Sequence, residues 1–166
     1  RVFEDPRGYF CETYNAGRFK ELGIDINFCQ DNQSKSSYGV IRGLHYQLNP
    51  QSQSKLVSAA QGSVWDVAVD LRAGSPTFGQ WYGVELSEEN HLQFLIPQGF
   101  AHGFSVLSET ALFTYKCDNF YSPTLERGIL YNDMDLAIDW KIPADKAVIS
   151  DKDTKHPLFK NAELNF

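Results

Sequence analysis

The sequence predicts an all-β fold, a sandwich or barrel with a few short helices that lie mostly toward the C-terminus. Two observations predict it. Apolar residues return at every second position in several short runs, and turn-forming residues separate those runs at short intervals. Regular short strands with such punctuation favour a sandwich or barrel over alternating strand–helix units.

The first element with helical spacing is Ala16 to Leu22, which Gly23 stops at a C′ position. Turn signals follow at Gly39, Asn49-Pro50, Gly62, Gly74-Ser75-Pro76, Gly79, Pro97-Gln98-Gly99 and Ser122-Pro123. Between them, Gly62 to Asp70 alternates apolar with polar or small residues, and the same period appears more weakly around Val84-Glu85-Leu86 and from Ala111 to Tyr115. After Pro123 the pattern loosens into short helical or irregular pieces and ends in a polar tail from Asp151. No repeat, heptad, low-complexity stretch or linker divides the chain, so residues 1–166 read as one domain with one substantial core.

Composition narrows the partners. A formal net charge of −6 sets the average surface against nucleic acid and anionic membrane, so an anionic ligand must be met by a local basic cluster. The longest apolar runs, such as Val67 to Val69 and Phe94 to Pro97, fall far short of the roughly 20 residues that span a bilayer. Cys11, Cys29 and Cys117 are odd in number and lack CxxC spacing, which argues against a disulfide framework or a zinc site and makes a reducing cytoplasm the expected home. The chain starts at Arg1 rather than Met, which leaves an initial segment, a targeting signal included, open.

Three segments carry candidate chemistry. In Val40-Ile41-Arg42-Gly43-Leu44-His45-Tyr46-Gln47, strict alternation puts Arg42, Leu44 and Tyr46 on one face and Ile41, Gly43 and His45 on the other, unless a bulge at Gly43 re-aims the strand. A hydrogen-bonded core histidine and a surface arginine are the competing reading on spacing alone. In Ile96 to Phe104, a Pro-x-Gly turn delivers His102 to the start of a strand, the spacing of the second cupin motif. Metal-binding cupins need a His-x-His pair in the first motif; here His45-Tyr46-Gln47 lacks the second histidine, so a metal site is incomplete and none is expected. In Phe113 to Tyr121, Tyr115 is either a half-buried packing residue or a proton donor. A histidine accepts a proton near neutral pH and a tyrosine stays protonated, so His45 and Tyr115 together can remove and return protons on opposite faces of a carbon.

Taken in order, Arg1-Val2-Phe3, Arg7-Gly8-Tyr9-Phe10, Gln30-Asp31-Asn32, Arg42 to Gln47, Lys55-Leu56-Val57, Asp66 to Asp70, Ile96 to Phe104, Tyr115-Lys116 and Asn132-Asp133 make the chain similar to the dTDP-4-dehydrorhamnose 3,5-epimerases over nearly its whole length. The resemblance implies a cupin-like jelly roll that inverts C3 and C5 of a 4-keto-6-deoxyhexose nucleotide through an enolate, with no redox cofactor and no metal. It implies His45 as general base, Tyr115 as general acid, and Asp153 as the carboxylate that orients His45, with Asp151 two residues away as the alternative. Lys55 and His102 fall near the sugar, Lys55 suited to the enolate oxygen, and Arg42 at the diphosphate. Arg7, Glu12, Gln30, Asp31 and Asn32 line the nucleotide site, the first two from the partner subunit of a homodimer. Tyr121 matches the aromatic that stacks on thymine, and Glu126 falls at a substrate contact. The family's first strand precedes Arg1, and Phe120 stands where relatives often carry a tyrosine, removing one hydroxyl. Three other readings stay open: a single-centre epimerase on a related nucleotide sugar, a non-catalytic sugar-binding jelly roll, and a metal-dependent cupin oxygenase.

Overall fold

The computed structural model describes residues 1–166. A hairpin comes first, β1 (Val2–Asp5) and β2 (Gly8–Cys11), followed by the helix α1 (Ala16–Glu21). Asn15 caps α1 by accepting the Arg18 N–H at 3.2 Å, and Gly23, at φ 82°, ends it as the spacing predicts. The body is built from β3 (Gln30–Ser37), β4 (Val40–Gln47), β5 (Lys55–Gln61), β6 (Ser63–Asp70), β7 (Trp81–Ser87), β8 (Phe94–Ile96), β9 (Phe100–Val106) and β10 (Thr110–Cys117). Short strands β11 (Glu126–Gly128) and β12 (Val148–Ile149) and 3₁₀ turns at Ala144–Lys146, Asp153–Lys155 and Phe159–Asn161 complete it.

Two sheets face each other. The smaller runs β3-β10-β5-β8; the larger runs β11-β4-β9-β6-β7, with β12 pairing parallel to β4 and every other pair antiparallel. Sequence neighbours often lie in different sheets. The chain crosses from β5 to β6 at Gly62, where φ is 71° and a Cβ would fall 2.1 Å from the Thr110 carbonyl oxygen, so only glycine fits. The result is the jelly-roll sandwich expected from the sequence.

Between the sheets lie Val57, Ala59, Val64, Ala68, Leu86, Ile96, Phe104, Val106, Ala111 and Phe113. A second core covers the outer face of the larger sheet, where Ile41, Leu44, Tyr46, Val67, Val69 and Leu71 meet Ile129, Leu136 and Trp140. Each fully buried aliphatic or aromatic side chain contributes roughly 1.5–3 kcal/mol. Phe159, Leu164 and Phe166 pack against this second core, so the tail beyond Asp151 is not the polar extension that its composition suggests. Its apolar residues, Leu158-Phe159 and the alternating Ala162, Leu164 and Phe166, are few and set among polar and charged ones, which hides their role in the sequence.

Strand β4 does not keep its alternation. Its register against β9 breaks between Arg42 and His45, with Gly43 at φ 125°. Ile41 lies in the outer core, and so do Leu44 and Tyr46, which strict alternation assigns to the opposite face. Arg42 therefore shares the inner face with His45: Arg42 pairs with Phe104 and His45 with His102 across β9.

Candidate active site

His45 and Tyr115 project from opposite sheets into one cavity of about 270 Å³, open at one end of the sandwich and lined also by Gln30, Asn32, Gln47, Gln53, Lys55, Cys117, Tyr121 and Glu126. Strand parity brings most of these side chains there, while Gln53 and Tyr121 come from loops. On β10, Phe113, Tyr115 and Cys117 point inward; on β5, Lys55 precedes the inward Val57 by two residues; on β3, Gln30 and Asn32 do the same.

The bulge on β4 serves the site twice. It turns His45 inward, and it frees the Gly43 N–H to donate to Asp153 Oδ2 at 3.4 Å. Asp153 Oδ1 meets His45 Nε2 at 2.7 Å. Asp153 is buried in a 3₁₀ turn, whereas Asp151 is exposed and lends only its carbonyl to Thr154, so Asp153 is the carboxylate that reaches the histidine. Burial pushes the Asp153 pKa up, but the His45 hydrogen bond and charge and the Gly43 N–H outweigh it and hold the carboxyl below its ordinary value.

Burial lowers the Lys55 pKa, with Cys117, Asp66 and Glu126 opposing through their charge. Burial raises the Tyr115 pKa, so its phenol stays protonated across neutral pH. Behind this layer, His102 is buried against Asp66, with Nε2 2.9 Å from Oδ2 and 3.1 Å from Oδ1. His102 thus backs the cavity wall rather than forming its surface.

The rim is a polar clamp. Tyr121, about half exposed, donates its hydroxyl to Glu126 Oε2 at 2.9 Å, and Lys152 Nζ reaches the same oxygen at 2.6 Å. Burial would raise the Glu126 pKa; these two hydrogen bonds and the Lys152 charge bring it below the ordinary value. Gln47 holds the loop that carries Tyr121, accepting from Ser122 N at 2.7 Å and donating to the Phe120 carbonyl, while Gln53 donates to the Asn119 carbonyl at 2.7 Å. Phe120 itself is 66% exposed and does not line the cavity, so the hydroxyl missing there is not lost from the cavity wall.

Several expected residues lie elsewhere. Asp31 faces the outer side of the smaller sheet, where it pairs with Lys116 at 2.8 Å, because it sits one residue out of phase with Gln30 and Asn32. Glu12 lines the same outer groove and pairs with Arg18 at 3.1 Å. Arg7 is exposed at the β1–β2 turn and binds Asp5. Within one chain neither Arg7 nor Glu12 reaches the cavity. Arg42 shares the inner face but is engaged with Ser36 Oγ at 3.1 Å, beyond the cavity lining.

The sequence reading gave no site role to Gln47, Gln53, Asp66, Cys117, Lys152 or His156. Gln47, Asp66 and Cys117 stand at inward strand positions that the period of two marks once strand phase is known, whereas Gln53 and Lys152 lie outside the strands. His156 has no such signal. Together with His45 and Asp153 it places three ligand-type atoms within 4.8 Å of one another. His45 Nε2 is already bonded to Asp153 Oδ1, so the group reads as a hydrogen-bonded cluster rather than a cation site.

Known proteins share this architecture. A family profile described as dTDP-4-dehydrorhamnose 3,5-epimerase matches residues 1–161. The dTDP-4-dehydrorhamnose 3,5-epimerase of Shigella flexneri is 53% identical over 164 residues, covering 98% of this chain and 90% of that protein. The crystal structure of the same-named enzyme from Elizabethkingia anophelis NUHP1 gives a TM-score of 0.92 at 60% identity over 97% of this chain and 88% of that one. A dTDP-6-deoxy-D-glucose-3,5-epimerase from Legionella pneumophila Philadelphia 1, solved in complex with dTDP-4-keto-L-rhamnose, gives 0.93 at 53% identity over 97% and 85%. The chain belongs to the dTDP-4-dehydrorhamnose 3,5-epimerase family.

Proposed function

We propose that the chain acts as a single domain that converts dTDP-4-dehydro-6-deoxy-D-glucose to dTDP-4-dehydro-L-rhamnose by inverting C3 and C5. The observation that carries this reading is a carboxylate-bound histidine and a half-buried tyrosine, held protonated, on opposing walls of one cavity. With Nε2–H donated to Asp153, His45 keeps Nδ1 as its basic atom, a tautomer assigned from the hydrogen-bond network. His45 takes the proton beside the ketone, and Asp153 stabilises the imidazolium that forms. The electron pair settles on the ketone oxygen, where Lys55 supplies positive charge and a proton to share.

Tyr115 then donates to the same carbon from the opposite face. Each inversion leaves His45 protonated and Tyr115 ionised, and both reset through solvent before the second centre reacts. The same carbonyl activates C3 and C5, so one base and one acid serve both if the ring repositions. This chemistry calls for no redox cofactor and no metal: the cupin ligand pair is incomplete at His45-Tyr46-Gln47. Arg42 suits the diphosphate by bidentate contact, and the exposed ring of Tyr121 suits the thymine.

Two further parts of the proposal concern assembly and compartment. Phe3, Tyr9 and Phe10 leave 49%, 56% and 69% of their area exposed on the β1–β2 hairpin, which fits a homodimer in which each hairpin brings Arg7 and Glu12 toward the other chain's cavity. Three free thiols fit a reducing cytoplasm.

The test is incubation with dTDP-4-keto-6-deoxyglucose in D₂O followed by NMR. Deuterium at both C3 and C5 with inverted products is the expected result. Label at one centre means a single-centre epimerase, and no label in active buffer removes the enzyme reading. Stoichiometric iron or manganese in the purified protein contradicts the metal-free mechanism.

A further inference from the structure

His156 has no step in that reaction, yet it stands at the carboxylate on which His45 depends. Its Nε2 lies 3.3 Å from Asp153 Oδ1, the oxygen that His45 Nε2 meets at 2.7 Å. The His156 side chain is only 12% exposed, and Nε2 is buried with no well-aligned hydrogen bond to any group. A buried N–H without a partner is costly, and Asp153 Oδ1 lies within reach of a small ring rotation. The two imidazole rings stand 5.6 Å apart, edge to face at 75°.

Bare backbone fixes the second ring in place. A Cβ at Gly128 would fall 2.5 Å from both Cε1 and Nε2 of His156, so the imidazole lies against β11 where no side chain intervenes. Gly128 in turn pairs with His45 across β4 and β11. The charged and titratable groups around this arrangement are Asp153 and Lys152 from its own segment, Glu126 from β11 and His45 from β4, with His102 and Lys55 farther along the inner face.

We propose that His156 is a positioning residue: a second imidazole held against the Asp153 oxygen that His45 uses, which shares that carboxylate with His45 and so weakens its hold on the first ring. The inference rests on His45 being the base. A carboxylate oxygen that accepts a second N–H stabilises the first imidazolium less, and a base must be unprotonated to act. Burial, then the charge of His45, lowers the pKa of His156 against the pull of Asp153, which favours the neutral form of the second ring.

The test reads His45 itself. The chain has four histidines, His45, His91, His102 and His156, few enough to assign by substitution and titrate by NMR without substrate. In His156→Leu the His45 midpoint rises by roughly half a pH unit or more, and the acidic limb of kcat/KM for deuterium exchange moves up with it. In His156→Gln, whose amide N–H reaches the same oxygen, both stay at the wild-type values. Gly128→Ala, which displaces the ring and leaves His156 present, shifts them in the same direction as His156→Leu and carries the test should the leucine variant fail to fold. An unmoved or lowered His45 midpoint in a folded variant overturns the proposal. Equal shifts in the Leu and Gln variants also overturn it, because they mark a packing effect. A wild-type protein that exchanges no deuterium removes the epimerase reading instead, while the substrate-free midpoints still report whether the carboxylate is shared.

Discussion

Asp153→Asn removes the charge and, with the amide oxygen kept toward His45, only the weak acceptor at 3.4 Å for the Gly43 N–H. The side chain keeps its volume in a buried turn, and His45 keeps an acceptor at 2.7 Å, but the imidazolium that the proposed reaction forms at His45 no longer faces a carboxylate. Unit charges at that distance attract by about 6 kcal/mol at an effective dielectric constant of 20 and about 1.5 kcal/mol in bulk water. The His45 side chain is 30% exposed, which places the effect between these limits, near 3 kcal/mol. At about 1.4 kcal/mol per factor of ten, kcat/KM falls roughly 10²-fold.

The direction of the pH effect is as diagnostic as its size. Loss of the carboxylate disfavours protonated His45, so the acidic limb moves to lower pH, opposite to the shift expected for His156→Leu. Asp153 has a folded pKa below its ordinary 3.8, so its contribution to stability is complete above that value and is lost as pH falls through the folded pKa. The asparagine variant therefore shows less loss of stability below about pH 4. The assay is a pH series of kcat/KM for deuterium exchange, with thermal melts as a control for folding. A variant within threefold of wild type, or an acidic limb that moves upward, refutes the role assigned to Asp153.

Other perturbations probe separate parts of the molecule. Tyr115→Phe should retain exchange of the proton removed by His45 while inversion drops by roughly 10²-fold or more; equal loss of both, read by NMR, contradicts separate acid and base. Gly43→Ala places a Cβ 2.6 Å from Gly103 Cα and 2.8 Å from the His102 carbonyl oxygen at φ 125°, a cost of about 3 kcal/mol that lowers Tm by roughly 6–12 °C. An unchanged Tm in that variant rejects the proposed need for glycine at the bulge. Asp70 is buried and accepts from Arg72 at 2.7 and 2.9 Å, from Ser75 and Thr77 at 2.6 Å, and its pKa lies far below the ordinary value, first because of Arg72. That stability is present above about pH 4 and lost as pH falls. Asp70→Asn should cost about 2–3 kcal/mol at pH 7 and flatten acid unfolding; matching melts at pH 7 discount the network.

Much of the scaffold is written locally. The alternation in Gly62 to Asp70 is β6, the punctuation at Gly39, Gly62 and Pro97-Gln98-Gly99 falls between strands, and Ala16 to Glu21 is helical up to its capping glycine. A period of two is a property of adjacent residues, so it survives in the sequence. It also separates Gln30 and Asn32 from Asp31 once the strand is recognised, which shows that a contiguous motif is the wrong unit for judging which residues face a cavity.

The sequence by itself determined the β class, the turns and, through its family motifs, the pairing of His45 with Tyr115 and Lys55. Tertiary structure decided three things. It re-phased β4 at Gly43, bringing Arg42 and His45 to one face; it chose Asp153 over Asp151; and it set His156 beside the same carboxylate oxygen. The reason is physical. Facing along a strand follows from local geometry, whereas the meeting of His45 with Asp153, 108 residues apart in sequence, depends on how the C-terminal segment packs over the larger sheet, and no local period encodes that distance.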